Sequence, residues 1–119
     1  MHNVEVAGQV IGPVLGPTAK NGKGALTVTP DGLAWTFRRG FRNLGGVVPW
    51  NLITSWESGL AVMAANSRAY VVYVAYENEP LGHISLMLSV RPAHAELVRT
   101  LHEAAEAYLP SEIMYVELG

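Results

Sequence analysis

The apolar residues of this chain change their period once, and that change constrains the fold more than any other feature. Up to residue 90 they recur mainly at every second position; from Pro92 onward Leu97, Val98, Leu101, Ala104, Ala105, Tyr108 and Leu109 recur at three- and four-residue spacing. Successive side chains of a strand point to opposite faces, whereas residues three and four apart share one face of a helix. The first part of the chain therefore predicts strands with one buried face. The rest predicts an amphipathic helix over 92–109, about 27 Å long at 1.5 Å per residue. Pro92 suits a first helical turn, where no N–H is required, and Pro110 marks the end.

Within the period-two region, Val4, Val6 and Val10 alternate with Glu5 and Gln9 and predict a first strand. Residues 12–24 carry Gly-Pro twice and Asn21-Gly22, the composition of a long loop. Thr29-Pro30-Asp31-Gly32 separates two alternating runs, 25–29 and 33–39, and predicts a hairpin whose glycine supplies a positive φ. Leu33, Trp35 and Phe37 fall on the core face of its second strand and Thr36 and Arg38 on the other, so a slip of one residue would expose both aromatics. VVPWNLITSWE, residues 47–57, predicts a further strand with Pro49 confined near its start, and LAVMA a short one after it. AYVVYVAY and HISLMLSV, joined by the polar ENEPLG, predict a second hairpin with Ile84, Leu86, Leu88 and Val90 on one face. The tail SEIMYVELG alternates and leaves room for an extra strand over 112–118.

A chain of 119 residues, half of them hydrophobic, is expected to bury one core and form one domain over 1–119. Eight lysines and arginines against ten acidic residues give a net charge of −2, without the basic field that drives nucleic-acid binding. The absence of cysteine removes disulfides, thiolate metal ligands and a cysteine nucleophile, and fits a reducing compartment. MHNVEVAGQV has neither a basic start nor a long apolar core, and no run approaches the roughly 18 apolar residues of a spanning helix. The expectation is a soluble cytoplasmic protein, with contact at the membrane periphery left open.

Strands followed by one closing helix resemble the pleckstrin-homology-like superfold, including small bacterial PH and GRAM-like domains. The resemblance rests on GALTVTPDGLAWTFRR as an early hairpin, VVPWNLITSW as the strand that crosses to a second sheet, and HISLMLSVRPAHAELVRTLHEAAEAYL as last strand and capping helix. It implies a mostly β (α+β) fold: a partly open barrel of six to seven antiparallel strands, stoppered by the C-terminal helix. Classical lipid-binding members line the loop between their first two strands with basic residues, and Lys20 and Lys23 fall there. Such members also carry basic side chains on the adjoining strand, which ALTVT lacks, so the lipid motif is incomplete. SEIMYVELG extends past the point where the family pattern stops, which leaves room for an added edge strand or a contact between copies in a homo-oligomer.

Candidate chemistry is sparse. His94 and His102 lie eight apart on the predicted helix, too few ligands for a metal site, and are expected on a solvated face. Asp31, the one aspartate, belongs to a hairpin turn rather than to a Ser-His-Asp arrangement. GPTAKNGKG fails as a phosphate loop: its glycine-to-lysine spacing is one residue too long, no serine or threonine follows the lysine, and a strand rather than a helix comes next. No cofactor or metal is expected, nor is an enzymatic or small-ligand role.

The basic residues instead gather in FRRGFRNLGGVVPW, residues 37–50. Arg38, Arg39 and Arg42 surround Phe41 at the end of a strand and in a glycine-rich loop. With Lys20, Lys23 and Trp50 they form the candidate partner- or lipid-binding set. Arginine and aromatic residues are enriched at protein interfaces. The same loop could rest on anionic lipid, each arginine adding about 1 kcal/mol, or could simply guard an edge strand from pairing. The reading from sequence is a noncatalytic module that binds a protein partner, with weak attachment to anionic membrane lipid as the alternative. Trp35, Trp50 and Trp56 are expected mainly in the core, with one of the latter two partly exposed.

Overall fold

The computed structural model describes residues 3–14, 21–39, 41–62, 68–78, 82–110 and 114–118. Its strands are β1 (Val4–Val14), β2 (Asn21–Thr29), β3 (Gly32–Arg39), β4 (Arg42–Val48), β5 (Ile53–Val62), β6 (Arg68–Asn78), β7 (Gly82–Val90) and β8 (Met114–Leu118). The helix α1 (Ala95–Glu106) lies between β7 and β8 and is preceded by a 3-10 turn, Pro92–His94. One sheet runs in the order β4-β3-β2-β1-β7-β6-β5-β8, with β4 and β8 at its open edges. Seven strands pair antiparallel, and β8 adds parallel to β5, Ser55 opposite Met114 through Gly59 opposite Leu118.

The register follows the alternation. Val6, Val10, Leu26, Val28, Leu33, Phe37, Val72, Val74, Ile84, Leu86, Leu88 and Val90 are buried on the inner face. The helix contributes Val98, Leu101, His102 and Ala105, residues at i, i+3, i+4 and i+7 that form one stripe. Leu97, expected on that stripe, is 44% exposed. The stripe covers the inner face of β1, β2, β5 and β6, as expected for a lid on a bent sheet.

Both expected hairpins form. Pro30-Asp31 joins β2 to β3, and the Thr29 hydroxyl closes the turn by donating to the Gly32 carbonyl at 2.8 Å while accepting from the Gly32 N–H at 3.2 Å. β7 opens on Gly82 at φ 88°, a left-handed conformation that costs glycine nothing.

Three expectations change. Much of the loop expected over 12–24 is strand, because β1 runs on to Val14 and β2 begins at Asn21. Gly12-Pro13 sits where the β1–β7 register shifts between Ile11 and Val14, since a proline cannot donate to the ladder and is carried as a bulge. VVPWNLITSWE is not one strand: β4 ends at Val48, Pro49 opens a 3-10 turn over Trp50–Leu52, and β5 begins at Ile53. The first three residues of LAVMA complete β5 instead of starting a strand of their own, and the last two lie outside the described residues.

Tyr76, buried on β6, has its hydroxyl pKa pushed above the ordinary tyrosine value by that burial. The fold therefore favours the neutral form. Its contribution is complete below the unfolded tyrosine value of about 10 and is lost as pH rises through the higher folded value. Urea midpoints are expected to fall as pH rises from about 10 towards the folded value, and Tyr76→Phe to flatten part of the fall. An identical slope in the variant would remove Tyr76 as its cause.

Candidate functional site

The arginine segment is a hairpin rather than a loose loop. Arg39 pairs with Arg42 across the turn, Arg38 with Asn43, Phe37 with Leu44, and the glycines expected to loosen the backbone lie in β4, Gly45 opposite Thr36 and Gly46 opposite Trp35. Those glycines give room for the neighbouring strand: a Cβ at Gly46 would sit 3.1 Å from the Trp35 indole nitrogen. Trp35, half-buried, stacks on Phe37 with ring centroids 5.9 Å apart. At the turn itself, Phe41 is fully exposed (103%), and Leu44 and Val47 along β4 are exposed as well. Phe41 therefore takes no part in the core packing.

On the outer face, register sets Gln9, Lys23, Arg38 and Asn43 in one row across β1, β2, β3 and β4. Lys23 and Arg38 are both exposed, and as direct cross-strand partners they bring two cations of the candidate set onto one surface. Lys20 lies outside the described residues. Trp50 leaves the set: it is 8% exposed, donates its indole N–H to the Thr29 carbonyl at 2.8 Å and stacks on Tyr108 at 5.3 Å. It pins the corner between β4 and β5 to the first hairpin and the end of the helix, because a large ring after Pro49 finds more apolar contact inside than out.

His102 departs most from expectation. It is 7% exposed, not on a solvated face, and its Nδ1 accepts from the Trp56 indole N–H at 3.2 Å and contacts the Ser58 hydroxyl. A tryptophan N–H can only donate, so Nδ1 carries no proton and the neutral ring holds its proton on Nε2. The Ser58 hydroxyl then donates to the same nitrogen. With Ser58 1% exposed, this serine–histidine pair faces the core and serves to dock α1 on β5. The helical period alone pointed to it, since 102 falls four after 98 and three before 105. No buried side-chain nitrogen or oxygen among the described residues lacks a hydrogen-bond partner.

A concave feature elsewhere on the sheet was not expected. A cleft of about 520 Å³ opens in the fork where β7 ends and β1 continues along β2. Ala7, Gly8, Gly24 and Ala69 contribute to its walls, and Lys23, Arg68, Arg91 and His94 are the charged or titratable residues lining it. Arg68 and Arg91 stand 23 positions apart in sequence, and only the β6–β7 register, which sets Tyr70 opposite Val90, brings them close. That register is invisible in the separate strands.

Among the described residues no group of three or more acidic, histidine or cysteine side chains could hold a metal ion, and no helix is long and apolar enough to cross a membrane. No family model matches the chain, and no curated protein matches it.

Proposed function

We propose that this chain is a PH-like, noncatalytic interaction module whose β3–β4 hairpin engages an acidic protein partner. The fold supports the family reading through its strand order, with β1–β4 consecutive, β5–β7 consecutive, and β1 joining the two groups by pairing with β7. The observation that carries the functional reading is Phe41. A phenylalanine fully exposed at the turn of a paired hairpin, with arginines on either side in sequence, has the composition of an interface anchor: an apolar ring to be desolvated and guanidinium groups suited to carboxylates.

Selection from a random peptide library tests this. Enriched peptides are expected to combine acidic and apolar residues, and Phe41→Ser to weaken their binding at least tenfold, the size of a modest hot spot. An enriched set without acidic bias, or one that Phe41→Ser binds equally well, overturns the reading. The same tip suits a shallow anchor in an anionic bilayer, with attraction of about 1 kcal/mol per nearby arginine. In that case Phe41→Ser abolishes cosedimentation with phosphatidylserine vesicles at low salt, while no peptide family is enriched.

A further inference from the structure

We propose that the cleft in the β1–β7 fork is a binding site for a phosphorylated small molecule, separate from the hairpin tip and independent of the partner reading. Three of the eight lysines and arginines in a chain of net charge −2 line this one cavity, together with His94, and no carboxylate is among its described lining residues. These four side chains reach it from different elements: Lys23 from β2, Arg68 from the start of β6, Arg91 and His94 from the segment that leaves β7. All four are exposed, and among the described residues none has a hydrogen bond or ion pair with another side chain. Like charges gathered with no carboxylate among the described lining residues repel one another, so the arrangement costs stability that a bound anion would restore. Two guanidinium groups add the fork geometry that meets phosphate oxygens in pairs.

The rest of the wall selects the ligand further. Ala7, Gly8, Gly24, Ala69 and Pro92 offer small apolar surface beside the cations, and about 520 Å³ lies in the range of small-molecule sites. A compound with a phosphate at one end and a compact apolar or sugar-like body fits that division. The phosphate could belong to a free metabolite or to a lipid headgroup. The recognising chemistry is the same.

Calorimetric titration with pyrophosphate at fixed ionic strength tests the site. Saturable binding at one site is expected, weakened at least about tenfold by Arg68→Gln and by Arg91→Gln, the loss of one charge-assisted contact each. Lys23→Gln should weaken it too, whereas Phe41→Ser at the hairpin should leave it unchanged, so this proposal and the partner reading fail separately. All three cations are exposed, and matching thermal midpoints will show that the variants fold. Phosphatidylcholine vesicles with and without phosphatidylinositol bisphosphate identify the source. Vesicle binding competed by pyrophosphate assigns the cleft to a headgroup, and pyrophosphate binding without vesicle binding assigns it to soluble phosphate compounds. No binding of pyrophosphate, or equal binding by wild type and the Arg68→Gln/Arg91→Gln double variant, overturns the proposal.

Discussion

Replacing Trp56 with alanine is expected to cost about 3–5 kcal/mol, the range for deleting a buried aromatic. For a domain whose whole stability is about 5–15 kcal/mol, that brings the fold near its limit. Trp56 is 0% exposed on β5, and its indole does two things at once. Its ring fills the space beneath α1, edge-on to His102 at 6.4 Å, and its N–H supplies one of the two donors to His102 Nδ1. The two contributions separate by substitution. Trp56→Phe keeps most of the ring and removes one donor, leaving Ser58 as the other, for an expected loss of about 1–3 kcal/mol. Ser58→Ala removes the second. The double variant should lose more than the sum of the singles, because only then is the buried nitrogen deprived of both donors. Urea denaturation of the four proteins measures the cycle. Additive losses would mean that the ring packs and the hydrogen bonds contribute nothing shared. Nitrogen-15 NMR gives an independent check: the His102 proton is expected on Nε2, and a proton on Nδ1 would contradict the donor geometry.

This region also shows where sequence reasoning stops. The two hairpins, the inner-face residues of β3 and β7, the closing helix and an added C-terminal strand were all legible, because each follows from a local period or turn. The tail pairs in parallel with β5 of its own chain, which accounts for its alternation without a second copy. Harder were features that depend on which strands become neighbours. His102 carried the right helical spacing, but a polar residue on an apolar stripe reads as misplaced until Trp56 and Ser58, more than forty positions earlier, are known to lie beneath it. Trp50 stood in the candidate set because it or Trp56 was expected to be partly exposed, and the 3-10 turn after Pro49 places its ring inside. Arg68 and Arg91 lay at strand ends, where a lone cation usually means a solvated terminus. The residues of the arginine segment were legible because they are contiguous, although they read as a loop and not as the paired β3 and β4; the cleft, assembled from four strands and a turn, was not.

Gly24→Ala is expected to cost about 3 kcal/mol or more, the upper range for forcing atoms into a packed region. A Cβ at this position would overlap the Thr36 carbonyl oxygen and lie 2.8 Å from the Thr36 carbonyl carbon and the Phe37 Cα. These are backbone atoms of β3 and cannot rotate aside. Gly22 meets the Arg38 carbonyl oxygen in the same way, and a Cβ at Gly8 would strike the Ser89 carbonyl oxygen with Val90 Cγ1 at 2.9 Å. Gly8 and Gly24 are direct cross-strand partners, so the close approaches run from β7 through β1 and β2 to β3. The sheet can coil tightly around α1 only where side chains are missing, the usual role of glycine inside a bent sheet. Gly82→Ala is the control: nothing lies within 4 Å of the added carbon, and the cost is the positive φ alone, about 1–2 kcal/mol. Thermal unfolding should therefore rank Gly24→Ala below Gly82→Ala, and the reverse order would show that β2 and β3 can part without penalty. Because Gly8 and Gly24 also line the cation-rimmed cleft, the bend that seats the helix on the inner face is the same bend that shapes the cavity in the fork. A Gly24→Ala protein that still folds should accordingly bind pyrophosphate less well than wild type.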